Sequence, residues 1–399
     1  MAFFGISVYP DLRPMEEIKG YLHLAASCGA KKVFSSMFSM EGTNEAILNC
    51  FADFIATAHG EGLTVSLDVN HQFLTQLGAA PSELKLFAEL GCDELRMDVP
   101  YGNDDDLKLI ANPYGIQISF NASFGVQDHI QDLLDKGADR SRMVMCHNFY
   151  PQRYTGMKWE NFQKTNAVIR RMGLRIGAFA TSHTPGTHGV WDAKDGMCTV
   201  ERMRDLPIDL QARMLLACGT EELIIGNAYA SKEEMLALQE VLTPIQVDEN
   251  APIFRLMKNF GNQEHMEIPP YQILRLQPSE ALCETEREIL FDYFPHQDVG
   301  DSSEWIWRSR MPRYLYKDRA IPPRTHPGKT FSVGDVVMVN DNYKHYAGEL
   351  QIVLLPIVND ATRNYVGHIS PEELQLLPLL RAHEAIVFRG EPNVEMPPH

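Results

Sequence analysis

The sequence of 399 residues lacks the features that mark several classes of protein. No apolar run approaches the ~20 residues that a membrane-spanning helix needs. The first residues, MAFFGISVYPD, carry no basic segment of the kind that begins a secretory signal. Positive charge is scarce, and the formal net charge of −17 opposes non-specific binding to nucleic acid or to an anionic membrane. We therefore expect a cytoplasmic protein with no nucleic-acid or membrane partner.

The cysteines show no recognisable spacing pattern. The seven cysteines are scattered, odd in number and contain no CxxC pair, so neither a disulfide framework nor a zinc ribbon is indicated. A later segment, TSHTPGTHGVWDAKDG, contains His183, His188, Asp192 and Asp195, but the spacing of its histidines is not a recognised metal signature. We expect no metal and no cofactor.

What the sequence does contain is a rhythm of strand and helix. Eight apolar, strand-like runs in the first ~245 residues are each followed by a segment with helical periodicity, as in parallel βαβ units. Eight such units of about thirty residues predict an α/β fold, a (β/α)₈ TIM barrel. The runs are FFGISVYPD, KKVFSSMF, LTVSLDVN, DELRMDVP, GIQISFNAS, RMVMCHNFYP, RIGAFATS and ELIIGNAYAS.

Polar side chains cluster where these runs end. Active sites of such barrels lie at the carboxyl ends of the strands, so the pattern indicates an enzyme. The residues at these ends are Asp11, Asp68, Asp98, Asn121, His147, Asn148 and Asn227.

Asp68 and Asp98 are the strongest catalytic candidates. Because side chains alternate along a strand, Asp68 and Asp98 should point into the barrel on adjacent strands. Two carboxylates within ~5–10 Å suit glycosidic bond cleavage, one as acid and the other as base or nucleophile. Arg96 has the same parity, so a purely structural ion pair with either aspartate is the alternative.

The segments after the sixth and eighth strands supply candidate substrate contacts. CHNFYPQRYTGM offers His147 and Asn148 for polar atoms, Tyr150 or Tyr154 for stacking, and Arg153 for an anion. A loop that only packs its aromatic rings is the alternative. In GNAYASKEE, Ser231 is a plausible N-cap whose helix would favour an anion.

The rhythm changes at the end of the barrel, which we assign to residues 1–245. Residues 246–399 predict a small, mostly β domain preceded by a linker, TPIQVDENAPIFRLMKNFGNQEHMEIPP. VVMVNDNY and IVNDATRNYVG are typical of hairpins, and LLPLLRAHEAIVFRG predicts a helical piece and a strand. Basic residues between Trp305 and Arg313 could clamp an anion or form an ordinary solvated face.

With these residues in view, the chain resembles the 6-phospho-N-acetylmuramidase family of bacteria, nearly from end to end. The matching segments are GISVYPD, DVN, LRMD, FNAS and, most specifically, HNFYPQRYTG in the first domain, with RSR, GDVVMVNDNYKHYAGELQI and NYVGHI in the second.

The resemblance implies a TIM barrel followed by a cyclophilin-like β domain. It also implies cytoplasmic hydrolysis of a 6-phosphorylated N-acetylmuramyl–N-acetylglucosamine disaccharide in cell-wall recycling. Such a small phosphosugar, the expected partner, carries a phosphate and a lactyl carboxylate, for which Arg153, Arg308 and Arg310 are the candidates. Asp68 and Asp98 would be the catalytic carboxylates, and a homo-oligomer is left open.

Two positions depart from the family's pattern. Asp195 stands where the seventh loop usually has a glutamate, and Asn227 follows Gly226 where an aspartate is usual. A shifted phosphosugar specificity would originate here.

Two further interpretations stay open on the sequence alone. A phosphosugar aldolase or isomerase would need an inward lysine or a metal cluster. The other interpretation is a non-catalytic protein that binds sugar phosphates or muropeptides. It stays open because a fold by itself does not decide function.

Overall fold

The computed structural model describes residues 1–37, 40–190, 193–247, 250–257 and 266–390. The chain divides into two compact units, Met1–Leu242 and Thr243–His399. Within the described residues, no helix is both long and apolar enough to cross a membrane.

The first unit is a closed barrel of eight parallel strands paired in chain order, with β1 also pairing with β8. This confirms the predicted TIM barrel. Its strands are β1 Phe3–Ser7, β2 Lys32–Ser36, β3 Thr64–Val69, β4 Glu94–Met97, β5 Gln117–Asn121, β6 Met143–Cys146, β7 Arg175–Ala180 and β8 Glu222–Ile225.

Helices follow the strands and are bounded by local signals. The Thr43 hydroxyl accepts the Ala46 N–H at the start of the second helix, and Asn70 caps the third in the same way. Gly91, in the left-handed conformation, ends the fourth. The helices are α1 Met15–Ser27, α2 Asn44–Gly60, α3 His71–Gln76, α4 Lys85–Leu90, α5 Asp105–Ile110, α6 Gln127–Asp135, α7 Trp159–Arg171, α8 Ile208–Ala217 and α9 Lys232–Leu242.

Strand parity places polar and apolar residues as predicted. On β3, Val65, Leu67 and Val69 are fully buried. Between them, Ser66 is in register with Glu94, and Asp68 is in register with Arg96. The polar side chains therefore project to the inside of the barrel, where cross-strand neighbours can meet.

The interior is layered along the strands. Lys32, Glu94 and Glu222, each the first residue of its strand, form a buried ionic cluster at the amino ends. Phe34, Cys146, Phe179 and Ile224 form an apolar layer above them. Asp68 and Arg96 lie one step further towards the carboxyl ends, where barrel enzymes hold their active sites.

The second unit is mostly β. Its main sheet has the strand order β12-β19-β11-β18-β15-β16-β13. Its elements are β9 Ile245–Val247, α10 Pro252–Met257, β10 Met266–Ile268, β11 Ile273–Pro278, α11 Glu284–Phe291, β12 His296–Gln297, β13 Ile306–Ser309, α12 Pro312–Leu315, β14 Thr330–Phe331, β15 Asp335–Val339, β16 Leu350–Val353, β17 Ile357–Val358, β18 Arg363–Ile369 and β19 Ala385–Gly390.

Two local predictions for this unit need correction. The predicted hairpin at IVNDATRNYVG is wrong, because β17 pairs with β14 whereas β18 pairs with β15 and β11. The turn residues correctly predicted that the chain bends here, but they did not predict which strand each run pairs with. The predicted linker is partly ordered, since β9 and β10 pair antiparallel; its residues 248–249 and 258–265 lie outside the described residues. The other predicted hairpin is present, since β15 pairs antiparallel with β16, but its turn is longer than predicted: a 3-10 segment over Asp341–Tyr346 precedes the return strand at Leu350.

Candidate active site

Asp68, Arg96 and Asp98 form one ionic group at the carboxyl ends of β3 and β4. Nη1 of Arg96 lies 2.5 Å from Oδ1 of Asp68 and 3.7 Å from Oδ1 of Asp98. Because both carboxylates approach the same nitrogen, these two oxygens can be no more than about 6 Å apart. The structure thus brings together the three residues that parity predicted.

The two aspartates differ in their exposure. The side chain of Asp68 is 5 % exposed, whereas that of Asp98 is 33 % exposed. Burial raises the pKa of Asp68 to about 6, with Arg96 opposing this rise and Asp98 reinforcing it. The pKa of Arg96 is raised further above its usual range, because the attraction of Asp68 outweighs the cost of burial. Asp98 is therefore the more accessible of the two carboxylates.

Asn121 holds the Asp98 segment in place. Nδ2 of Asn121 donates to the backbone oxygen of Asp98 at 2.9 Å and to its Oδ1 at 3.4 Å. Oδ1 of Asn121 accepts the Ser123 N–H and so caps the turn after β5. The amide is fixed from both sides, which positions the carboxylate.

Asn148 and His147 lie beside this group. Oδ1 of Asn148 accepts a hydrogen bond from Nη2 of Arg96, so Asn148 joins the ionic group directly. His147 is fully buried, and its two ring nitrogens contact the Ser123 hydroxyl and Oδ1 of Asn166. Burial lowers the pKa of His147 to about 4, so the ring is neutral at physiological pH and supports the loop.

The segments after β6 and β7 pair with each other. The Tyr150 N–H donates to the Cys198 carbonyl, and the Met157 N–H donates to the Thr199 carbonyl. Glu201 accepts the backbone N–H groups of Tyr154 and Gly156, and Arg204 holds the pKa of Glu201 down at about 2. These contacts shape the rim of the barrel from two loops.

Tyr154 is the most exposed large aromatic ring of this rim. It is 85 % exposed and has a φ of 72°. A non-glycine residue in the left-handed region costs free energy, and such residues cluster at functional sites. Tyr154 is thus better placed for stacking than Tyr150, which is only partly exposed.

A polar pocket of about 340 Å³ lies among the loops after β6, β7 and β8. It brings together three further predicted residues, Arg153, Asp195 and Asn227. Other charged or polar side chains at its wall are Ser182, His183, Thr184, Thr187, Lys194, Arg204 and Asp205.

The arginines of this pocket are already engaged. Arg153 makes a two-pronged contact with Asp205, with nitrogen–oxygen distances of 2.6 and 3.0 Å, and its backbone N–H donates to Asp195. Arg204 is buried and bonds to Glu201 and to the carbonyls of Tyr150 and Asp195. An incoming anion would therefore share Arg153 with Asp205.

Asn227 connects the eighth loop to the seventh. Its Oδ1 accepts from the Ser182 N–H at 2.8 Å, and its Nδ2 donates to the Ser182 carbonyl and the Thr187 hydroxyl. Asn227 is 3 % exposed. Asn227 therefore links the two loops that form this part of the pocket wall. Its predicted contact with a substrate remains a prediction.

Ser231 is an N-cap, as expected, but the anion at this helix end belongs to the protein. The Ser231 hydroxyl accepts the Glu234 N–H, and Oε2 of Glu234 accepts the Ser231 N–H, as in a capping box. The same carboxylate accepts from the Thr184 hydroxyl and the His183 N–H. Glu234 was missed, although the pattern S-x-x-E signals it.

Comparison with known proteins decides the family of this barrel. Residues 4–240 match the model of the N-terminal part of 6-phospho-N-acetylmuramidase, and residues 272–389 match that of its C-terminal part. The chain belongs to the 6-phospho-N-acetylmuramidase family. It is a glycoside hydrolase, and the resemblance drawn from HNFYPQRYTG and its companions is confirmed.

Solved structures agree with this assignment. An uncharacterized B. cereus protein is 32 % identical, with 97 % of this chain and 99 % of that chain covered and a TM-score of 0.79. A conserved Enterococcus faecalis protein with an unknown function shares the fold at 23 % identity, covering 98 % and 97 % of the two chains, with a TM-score of 0.61. No curated protein matches the chain.

Other predicted residues of this family member make different contacts. Asp11 is exposed in the loop after β1, where partial burial of its carboxylate raises its pKa and His188 opposes this rise. His183 bonds through Nε2 to the Arg204 carbonyl. In the described chain, no group of three or more His, Cys, Asp or Glu is arranged to share a metal ion, and Asp192 lies outside the described residues.

Arg308 and Arg310 belong to the second unit and meet acidic partners there. Arg308 contacts both carboxylate oxygens of Glu349, at 2.8 and 2.7 Å, and Arg310 contacts Asp301 at 2.8 Å. Their predicted role as substrate ligands remains a prediction.

Sequence reasoning also missed an inward lysine. Nζ of Lys32 contacts carboxylate oxygens of both Glu94 and Glu222, and Ser66 donates to Glu94 at 2.8 Å. The pKa of Lys32 is raised because the two carboxylates outweigh the cost of burial. A lysine held protonated in this way is unsuited to Schiff-base chemistry.

Proposed function

We propose that this enzyme hydrolyses a 6-phosphorylated N-acetylmuramyl–N-acetylglucosamine disaccharide, or a closely related phosphosugar, in cell-wall recycling in the cytoplasm. The family match over both domains supports the substrate class. The single structural observation that carries the chemistry is the pair of carboxylates, Asp68 and Asp98, on one guanidinium nitrogen at the barrel mouth.

The two aspartates differ in the way that a division of labour requires. Asp68, with its pKa raised to about 6, would donate a proton to the glycosidic oxygen as the bond to the anomeric carbon breaks. Asp98, the more exposed carboxylate, would attack that carbon. Water activated by Asp68 would then displace Asp98 and restore both groups. Arg96 would hold both carboxylates in place between turnovers.

The spacing of the pair favours retention of configuration. Retaining enzymes hold their carboxyl groups about 5–5.5 Å apart, whereas inverting enzymes need about 6.5–9.5 Å to admit a water molecule. The limit of about 6 Å between the two Oδ1 atoms fits the first class. If the substrate's own 2-acetamido group attacks instead, configuration is again retained, and Asp98 would orient the amide.

The phosphorylated sugar would bind in the polar pocket. Arg153 and Lys194 would supply positive charge, while Asp195 and Asp205 could accept hydrogen bonds from sugar hydroxyls. A volume of about 340 Å³ is within the usual range for small-molecule sites. The aspartate at position 195 is shorter than the usual glutamate, which would enlarge this part of the pocket.

The deciding experiment is a turnover assay with the 6-phosphorylated disaccharide beside its unphosphorylated form, followed by mass spectrometry. We expect cleavage of the phosphorylated form alone, with loss of that preference in Arg153→Ala. Nuclear magnetic resonance of the first-formed anomer should show retention. Cleavage of neither disaccharide would refute the proposed substrate, and first formation of the inverted anomer would refute the proposed roles of Asp68 and Asp98.

A further inference from the structure

Opposite charges lie on neighbouring helices of the barrel. Residues 104–135, which include α5 and α6, contain six aspartates and one lysine. Residues 136–175, which include α7, contain nine lysines and arginines and two acidic residues. Because α6 and α7 pack side by side, an acidic strip lies beside a basic strip on the outside of the barrel.

The charged side chains of the two strips are exposed to solvent. They are Asp128, Asp132 and Asp135 on α6, and Lys164 and Arg171 on α7. Within the described chain, four of these five have no opposite charge at ion-pair distance; the exception is Asp132, whose partner is a lysine four residues on. The strips therefore carry charges that a second molecule can pair.

Asp135 occupies a position that its own helix does not favour. It is the last residue of α6, where the negative end of the helix dipole opposes a carboxylate. Its hydrogen-bond donor is the neutral amide of Gln131, at 2.8 Å. A cation from another molecule would offset this repulsion.

A two-fold axis between α6 and α7 brings the strips of two copies together. Both helices follow strands of the same direction, so they run parallel within one copy. The axis reverses the second copy and places its α6 antiparallel on α7, and its α7 on α6. Asp128 then faces Arg171, and Asp135 faces Lys164. The spacing agrees, because the two aspartates and the two cations are each seven residues, or about 10 Å, apart along their helices.

An exposed aromatic ring and a hollow extend the same contact. Phe124, three residues before α6, is 57 % exposed. A hollow of about 480 Å³ lies at the C-terminal end of α7, and its wall includes Arg170, Leu174, Arg175 and Leu216. The axis brings the start of α6 of the second copy, and with it Phe124, to this end of α7. A ring against leucine side chains and a guanidinium group is the kind of anchor that dominates protein interfaces.

We propose that two copies of this chain associate through α6 and α7 into a symmetric dimer. The charges fix the orientation of the partner and speed the encounter, and Phe124 supplies apolar contact. Because salt screens exposed charges, the dimer should weaken at high ionic strength. The surface lies on the outer helices and does not depend on the proposed hydrolysis.

Sedimentation velocity of the full-length protein over a range of concentrations tests the proposal. We expect dimers at low ionic strength, with a dissociation constant that rises about tenfold between roughly 0.05 and 0.5 M salt. A wild-type protein that sediments as a monomer at low ionic strength and about 100 μM, where even weak specific dimers form, would overturn the proposal.

Charge reversals locate the contact. Arg171→Glu and Asp128→Lys should each raise the dissociation constant by about tenfold or more, because each sets like charges opposite one another at both symmetric contacts. Lys19→Glu is the matched control, since it reverses an exposed cation on α1 and changes the net charge as Arg171→Glu does. Thermal unfolding midpoints show whether the variants fold.

Mixing the two reversed variants tests the antiparallel arrangement. In the mixture each altered side chain meets the altered side chain of the other variant, and the other contact keeps its original pair, so association should return. Failure of the mixture to associate would exclude this arrangement. Equal weakening by Arg171→Glu and Lys19→Glu would place the contact on another surface.

The apolar part of the contact has its own pair of variants. Phe124→Ser should raise the dissociation constant by about tenfold, because it removes the proposed aromatic anchor. Leu236→Ser, which removes a side chain 47 % exposed on α9, should leave it unchanged. An equal effect of the two would remove Phe124 from the interface. No step of these tests reads turnover, so their outcome is separate from that of the proposed function.

Discussion

The two ends of the barrel interior contain similar charges in different surroundings. At the amino ends, Lys32 contacts Glu94 and Glu222, and all three side chains are at most 6 % exposed. At the carboxyl ends, Arg96 contacts Asp68 and Asp98, and Asp98 is 33 % exposed. The first group has two carboxylates and two cations, since Arg175 also lies 3.1 Å from Glu222, and the second has two carboxylates and one cation. Both are ion-paired, so ion pairing alone does not distinguish a catalytic group from a structural one.

The two groups differ in how far a substrate could reach them. The cluster around Lys32 is closed over by the apolar layer of Phe34, Cys146, Phe179 and Ile224. The group around Arg96 lies at the carboxyl ends, and its outer carboxylate, 33 % exposed, is held by Arg96 and by the amide of Asn121. A charge group at the mouth can exchange its partners for a substrate, whereas one at the closed end serves stability.

The largest expected effect is on turnover at the open end. Asp98→Asn should lower the rate by about a thousandfold or more, because it removes a reacting carboxylate. Stability should change little, since the side chain is partly exposed. Turnover and thermal unfolding measure the two effects, with Asp105→Asn, which alters an exposed ion pair on α5, as the control. Turnover near that of the wild type in Asp98→Asn would contradict a catalytic role for the group at the carboxyl ends.

The matching change at the closed end should affect stability instead. Lys32→Met removes the cation that Glu94 and Glu222 share and leaves only Arg175 beside Glu222, which should cost about 3–5 kcal/mol. Urea unfolding measures this loss. Turnover per folded molecule should remain close to that of the wild type, and a large fall in turnover would show that the two ends are coupled.

The pH dependence should come from Asp68. Its pKa is raised from 3.8 to about 6 by burial, so the folded state binds the proton more tightly than the unfolded chain does. The stabilising contribution is therefore complete below about pH 3.8 and is lost as the pH rises to about 6. If Asp68 is the acid, kcat/KM should fall about tenfold per pH unit above 6.

Asp68→Asn checks this assignment. The variant should lose the limb of the rate profile near pH 6 as well as most of its activity. A residual activity that keeps the same limb would assign the titration to another group.

The smallest expected effect tests how Asp98 is positioned. Asn121→Ala removes the amide that donates to Asp98, and we expect turnover to fall by about tenfold. Asn121→Asp should be worse, because it places a like charge beside Asp98. A pH–rate profile of Asn121→Ala should retain its shape if Asn121 only positions the carboxylate, and a displaced limb would contradict that role.

The sequence by itself determined the architecture and the family. Alternation of apolar runs and helical segments is a local property, and so is the period of two that placed Ser66, Asp68 and Arg96 inside the barrel. The segment HNFYPQRYTG and its companions predicted the family that the comparisons confirm. Local patterns could establish these points because they depend on residues near one another in the chain.

The tertiary structure decided which charges meet. Lys32, Glu94 and Glu222 come from three distant strands, and their contact depends on barrel closure, which no local pattern reports. The strand partner of β17 and the accessibility of Asp98 likewise follow from packing. Coulombic attraction and burial act through space, so these features depended on the folded barrel and sheet rather than on the order of residues.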